Sequence, residues 1–331
     1  MNGDRKVIVA GIDEYGGIKL IKSRKYSAWV LSLMAAATLA ACGAEDANSE
    51  TSSESPDTSE DTSEDYSELV MGFVPSSDAE NITDNAEPLA DYLEEALGIP
   101  VTAQVTTDYV GLVEAMRTGQ TQIGFLPAFG YVQAAERGDV EVIAKSIRYG
   151  SGTYVAQYNV PADSEIQDFD DLVESEGLVW AFPGYSSTSG YLFPGVAFLN
   201  AGIEDLEEKF QHLEVQGHDN ALLQLLDGNA DFATTFDDAR GNLSDEIPDI
   251  EDQIRVVGYT DPIPNDTVTL YGGMPEDLKE EITEAFLSME ENDEALQAMH
   301  DIYEWDGIEP AEDSEYDIVR EAYEAFEGLI D

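Results

Sequence analysis

The sequence predicts an α/β protein of two lobes, each a mostly parallel sheet flanked by helices, with two β crossovers forming the hinge between them. Three observations carry this expectation. From residue 69 onward, short apolar runs alternate with helical patterns, as βαβ units require. The alternation restarts after a β run at 154–160, and a second β run at 267–271 leads back. The chain has 331 residues, 43% of them apolar, which allows two domains with sizeable cores.

The elements follow in order. Residues 69–74 are an apolar run that ends at Pro75-Ser76-Ser77, a buried first strand leaving into a loop. Pro88 suits the first turn of a helix that carries Leu89, Tyr92, Leu93, Ala96 and Leu97 on one face and stops at Gly98. Strands at 101–106, 123–126 and 140–147 alternate with helices at 110–117 and 131–137, each helix closed by a glycine. The second lobe repeats the alternation. Its strands fall at 178–182, 211–215 and 231–235, and its helices at 169–172, 189–201 and 221–226. A strand at 255–257 precedes the return run at 267–271. Two long helices follow, at 275–300 with an interruption near Asn292 and at 314–330. The expected division is 68–152 with 268–331 in one lobe and 153–267 in the other.

Residues 1–41 read as a leader. Arg24 and Lys25 precede an apolar stretch at 28–37, too short to span a bilayer but suited to a secretory signal. Leu39-Ala40-Ala41-Cys42 resembles the lipobox of bacterial lipoproteins, which implies cleavage before Cys42 and lipidation of its thiol. The first 22 residues exceed what an n-region needs and are set aside as an upstream extension. Residues 44–67 are almost wholly Ser, Thr, Asp and Glu, a composition that cannot offset its own ordering entropy and serves as a tether.

There are 70 acidic residues against 15 basic ones, a formal charge of −55. This excludes nucleic acid as a partner, since phosphate backbones demand Lys and Arg. It also argues against docking on an anionic membrane through a basic patch, leaving lipid on Cys42 as the membrane contact. The excess is spread along the chain, as on a surface adapted to high salt. One Cys rules out a disulfide framework, and the three His show no metal-ligand spacing. No metal or cofactor is expected.

The stretch 183–194, PGYSSTSGYLFP, is the most informative. It follows a strand and opens a helix, so Ser187, Thr188 and Ser189 stand at a helix N-terminus. Unpaired N–H groups and the positive end of the macrodipole lie there, an anion site without Lys or Arg. A plain N-cap needs only one hydroxyl.

STSGYLFP at 187–194 resembles the substrate-binding proteins of ABC importers for phosphonate, phosphite and phosphate. Other segments agree in order: GFVPS at 72–76, PLADYL at 88–93, TDYVG at 107–111, FGYV at 129–132, GHD at 217–219, TFDDAR at 235–240 and IPND at 263–266. The resemblance covers residues 69–330 and implies a type II-like periplasmic-binding-protein fold. It implies that Ser187, Thr188 and Ser189 hold an oxyanion, with Tyr109, Tyr154 and His218 as further donors. Asp238 and Asp266 would hold the ammonium of an aminoalkylphosphonate such as 2-aminoethylphosphonate, with Asp237 as the alternative to Asp238. Tyr131 and Phe129 are candidates for the cleft wall or for the core. The partners implied are a small phosphorus oxyanion and the permease and ATPase of an importer, with the binding protein itself a monomer outside the cytoplasm.

Competing readings are weaker. A hydrolase would need a nucleophile elbow, and the spacing of 184–190 does not supply one. A receptor for organic carboxylates on the same fold would clamp its ligand with Arg, and none of the six Arg of the folded part falls in the cleft motifs. A structural lipoprotein would not need the STSG and GHD pair.

Overall fold

A computed structural model describes residues 9–12, 18–21 and 66–330. Val9–Ile12 and Ile18–Ile21 form an antiparallel pair. The expectations for the apolar stretch at 28–37, for Cys42 and for the tether up to residue 65 lie outside the described residues.

The first lobe is a six-stranded sheet in the order Gly307–Pro310, Val140–Ile147, Thr267–Tyr271, Ile123–Leu126, Leu69–Phe73, Val101–Val105. Leu69, Met71 and Phe73 are fully buried because strands flanked on both faces must be apolar throughout. Phe73 stacks on Phe125 at 4.5 Å, and Phe125 meets Phe286 and Trp305. Helix Ala79–Leu97 covers one face with Ile82, Ala86, Leu89 and Leu93, a helical spacing. Helices Tyr109–Arg117 and Ala128–Arg137 cover the other.

The second lobe is a five-stranded sheet in the order Gln211–Glu214, Val179–Phe182, Phe232–Phe236, Ala156–Pro161, Ile254–Tyr259. Trp180 is its hub. The indole stacks on Tyr191 at 5.2 Å and on Phe232 at 5.7 Å, and its N–H donates to Thr234 Oγ1 at 2.7 Å. Such a ring pays for its burial only with that partner. The chain crosses between the lobes twice, where Thr153–Tyr154 pairs antiparallel with Ile263–Pro264. Asn265 secures the crossing by donating from Nδ2 to the carbonyls of Ser146 and Ser151, both at 2.8 Å. The C-terminal helix Asp317–Ile330 packs on Ala128–Arg137 of one lobe and Phe193–Asn200 of the other. Phe129 meets Tyr323 at 4.9 Å and Tyr191 meets Phe326 at 5.3 Å.

Two expectations are corrected. The sheets are mixed rather than mostly parallel. Parallel pairing is confined to the three strands Ile123–Leu126, Leu69–Phe73 and Val101–Val105 in one lobe, and to Gln211–Glu214, Val179–Phe182 and Phe232–Phe236 in the other. The crossover strands and their neighbours join antiparallel, since they enter from the opposite lobe. Pro88 does not open its helix. The helix begins at Ala79, where Asp78 accepts from the Asn81 N–H at 2.9 Å, and Pro88 lies inside it.

Candidate functional site

Strand Val179–Phe182 ends at Pro183-Gly184, and the chain turns into a π-helical turn, Thr188–Leu192, that continues as helix Phe193–Asn200. π turns recur at functional sites because they re-aim side chains and free backbone groups. Ser187, Thr188 and Ser189 are all buried and line a cavity of about 490 Å³ between the lobes. Tyr109, Tyr154, His218 and Asp266 line the same cavity. The structure thus brings together seven of the expected site residues.

Their hydrogen bonds set which way their protons point. Ser187 Oγ accepts from the Gly190 N–H at 3.0 Å, and Thr188 Oγ1 accepts from the Phe129 N–H at 2.9 Å. With an acceptor lone pair occupied on each, the hydroxyl protons are left to donate elsewhere. His218 Nδ1 accepts from the Phe236 N–H at 3.3 Å, so the neutral ring carries its proton on Nε2. Burial, reinforced by the Arg148 charge, lowers the His218 pKa to about 3, which keeps the ring neutral. The Tyr109 hydroxyl is buried and has no hydrogen-bond partner among the described residues. Burial, with Asp266 nearby, raises the Tyr109 and Tyr154 phenols far above their ordinary value, so both keep their protons. The result is a set of converging neutral donors, suited to an oxyanion.

Carboxylates stand among these donors. Asp266 is raised to about 6 by burial, against the pull of Arg148. Asp219, from the Gly217-His218-Asp219 turn, is also raised to about 6 by burial, although Asn242 Nδ2 donates to it at 2.9 Å. Asp78, Glu246, Asp301 and Glu304 line the cavity as well.

Asp238 does not line the cavity. Arg240, two residues on, grips it through Nη2–Oδ2 at 2.5 Å and Nε–Oδ1 at 2.9 Å, and Gln157 donates to it at 2.8 Å. Asp237 is turned to the Val155 N–H, and neither carboxylate lines the cavity. Tyr131 belongs to the core: its hydroxyl donates to Asp313 at 2.5 Å and its ring meets Tyr316 at 4.9 Å. Phe129 contributes its backbone N–H to Thr188 while its ring packs on Tyr323.

Sequence reasoning missed Arg148, and with it the statement that the cleft lacks arginine. Arg148 is buried, lines the cavity and donates from Nη2 to Glu304 at 2.5 Å. The signal that could have found it is position. Arg148 follows the last residue of strand Val140–Ile147, and ligands in such sheets bind at the carboxyl ends of strands.

Two α/β lobes joined by paired crossovers, with converging donors between them, define a two-lobed, cleft-binding protein. The chain belongs to the family of ABC transporter, phosphonate, periplasmic substrate-binding proteins, whose sequence model matches residues 71–316. It is similar to the phosphonates-binding periplasmic protein of Escherichia coli (24% identity over 222 residues, 66% of this chain and 65% of that protein). It is also similar to the phosphate-import protein PhnD of Mycolicibacterium smegmatis (24% over 176 residues, 51% of this chain and 55% of that protein). The match therefore spans less than two thirds of either relative's length. Its fold resembles PhnD1 of Prochlorococcus marinus, solved in complex with methylphosphonate, with TM-score 0.71 and 19% identity over 80% of this chain and 100% of that one.

Proposed function

We propose that the chain is the extracytoplasmic solute-binding component of an ABC importer, and that it captures a phosphonate between its lobes and delivers it to the permease. One observation carries this reading. Around the cavity, a backbone N–H on Nδ1 leaves His218 Nε2–H as a donor, and Ser187 and Thr188 each accept one backbone N–H and keep a hydroxyl proton to donate. The helix N–H groups and the two phenols add to them, so an oxyanion is the ligand that leaves none unpaired. The family and the names of the relatives, one phosphonate-binding and one phosphate-importing, support phosphorus as its centre. The acidic wall around Asp266 favours an ammonium on the organic end, as in 2-aminoethylphosphonate, with phosphite or phosphate as the second reading. Cys42 would carry the lipid that anchors the protein outside the cytoplasm. Capture proceeds by closure, and the ligand favours the closed state only by its preference for it.

Thermal unfolding with phosphate, phosphite, methylphosphonate and 2-aminoethylphosphonate, each added alone, tests the reading. A ligand at 100 times its Kd should add ~2.7 kcal/mol of stability. The expected order places 2-aminoethylphosphonate first. A shift with phosphate or phosphite alone would keep the oxyanion site and remove the amine. No shift with any of the four would overturn the phosphorus assignment. Ser187→Ala, Thr188→Ala and Ser189→Ala should each weaken binding by roughly 1–3 kcal/mol, measured by calorimetric titration.

A further inference from the structure

The hydroxyl and imidazole donors of the oxyanion site leave one cation of the same cavity, Arg148, without a role. Arg148 is 7% exposed, and its Nε has no hydrogen-bond partner among the described residues. Its guanidinium carbon lies 4.7 Å over the ring of Phe236, which belongs to the other lobe, and its Nη2 donates to Glu304. Among the described residues no second carboxylate lies within ion-pair distance, although Asp266 lines the same space. A guanidinium offers five N–H donors in a fixed fork, and a buried one normally has them met. Here Glu304 meets Nη2, the Tyr149 hydroxyl lies beside the fork, and Nε is left open. The cavity, at about 490 Å³, falls in the range of sites for drug-sized ligands and exceeds the needs of methylphosphonate.

We infer that Arg148 forms a carboxylate subsite, and that the cleft takes a phosphonate whose organic substituent carries a carboxylate. This deepens the phosphonate reading and rests on it. The phosphonyl group sits on Ser187, Thr188 and Ser189, and the carboxylate meets the donors of Arg148 that Glu304 leaves open. Asp266 and Asp219 flank this subsite and repel a bare dianion. The form that satisfies both signs is a zwitterionic end, with an ammonium toward the aspartates and a carboxylate on the arginine. The substrate class is therefore a phosphonate bearing an α-amino-acid group. Glu304 serves as the place-holder of the subsite: it keeps Arg148 paired when no ligand carboxylate is present. Glu304 is the left-handed C-cap of helix Asp293–Tyr303, with φ of 58°, and its N–H donates to the His300 carbonyl.

The test is a titration of the full chain with four compounds: methylphosphonate, 3-phosphonopropionate, 2-aminoethylphosphonate and 2-amino-3-phosphonopropionate. The amino acid should bind at least about tenfold tighter than 2-aminoethylphosphonate, the scale of one charge-assisted bond. Arg148→Met should collapse that ratio to about one. Arg148→Lys keeps the charge but not the fork, and should keep only part of it. Glu304→Gln frees the guanidinium and should enlarge the ratio, an outcome that loss of folding cannot imitate. Equal affinity for the two amines in the wild type, or a ratio unmoved in Arg148→Met and Glu304→Gln, would overturn the subsite while leaving the phosphonate reading in place. Binding of none of the four would instead bring down the phosphonate reading.

Discussion

The place of Ser187, Thr188 and Ser189 on the cavity was legible in the sequence because a run of hydroxyls at a strand-to-helix turn exceeds what capping requires. Arg148 was not, because nothing local distinguishes a cleft arginine from a surface one; only the sheet's geometry does. Asp238 misled for the opposite reason. Its neighbour Arg240 lies two residues away, and a pair so close in sequence leaves no periodic signature. Titration makes the buried groups testable. Asp266 titrates at about 6 when folded, against an ordinary 3.8, through burial. A raised carboxyl contributes stability that is present below about 3.8 and is lost as pH rises through about 6. Asp266→Asn should therefore be more stable than the wild type at pH 7.5 by roughly 1–3 kcal/mol, and equal to it below about pH 4. Denaturant unfolding at the two pH values checks this. A less stable variant at pH 7.5 would mean that attraction to Arg148 outweighs burial. His218 runs the other way. Its folded pKa, lowered to about 3 by burial and Arg148, gives stability that is present above 6.5 and lost as pH falls through about 3.

At the scale of elements, the order of strands and helices was legible, and strands such as Ile123–Leu126 and Val140–Ile147 fall where the apolar runs place them. What periodicity could not supply was direction and onset. An apolar run has no sign that says parallel or antiparallel, so the mixed pairing of the crossover strands was hidden. Helix Ala79–Leu97 starts in a polar segment where only Ile82 and Ala86 face the core, and Pro88 drew the eye to the wrong end. The short strand Gly307–Pro310 has too few apolar residues to show. The element that carries most of the proposed binding groups is the turn at 187–192, and its tightness is measurable. A Cβ at Gly190 would lie 2.4 Å from Pro183 Cδ and 2.8 Å from Ser187 Oγ, while Thr234 Oγ1 holds the Gly190 carbonyl at 2.5 Å. The Gly190 N–H is also the group that orients the Ser187 hydroxyl. Gly190→Ala must displace Pro183 or Ser187. It should cost ~1–3 kcal/mol of stability, as overpacking does, and weaken phosphonate binding at least tenfold. Calorimetric titration beside denaturant unfolding separates the two. Binding that survives intact would show that the site tolerates a shifted Ser187.

For the whole molecule, the question is how a chain with a formal charge of −55 would capture the proposed anion. The donors of the site are neutral hydroxyls, N–H groups and one imidazole. Around them lie carboxylates at Asp78, Asp219, Glu246, Asp301 and Glu304, with Arg148 as the cation in the cavity wall. In the bound state, hydrogen bonds at close range hold the ligand. During approach, the net field repels it. Salt acts on these two stages differently. The Debye length is ~10 Å at 0.1 M and ~3 Å at 1 M, so added salt removes the long-range repulsion and spares the buried contacts. Salt also relieves the self-repulsion of the folded chain, and the unfolding midpoint should rise with it. Steered association between opposite charges slows as salt is added; here the sign is reversed. The association rate for a phosphonate should rise between 0.1 and 1 M KCl and then level off, while the dissociation rate changes little. Stopped-flow fluorescence at a series of salt concentrations reads both rates. A rate that falls with salt would mean that Arg148 and the helix N-terminus focus a local positive potential strong enough to overcome the global charge. The site would then steer its ligand as well as hold it.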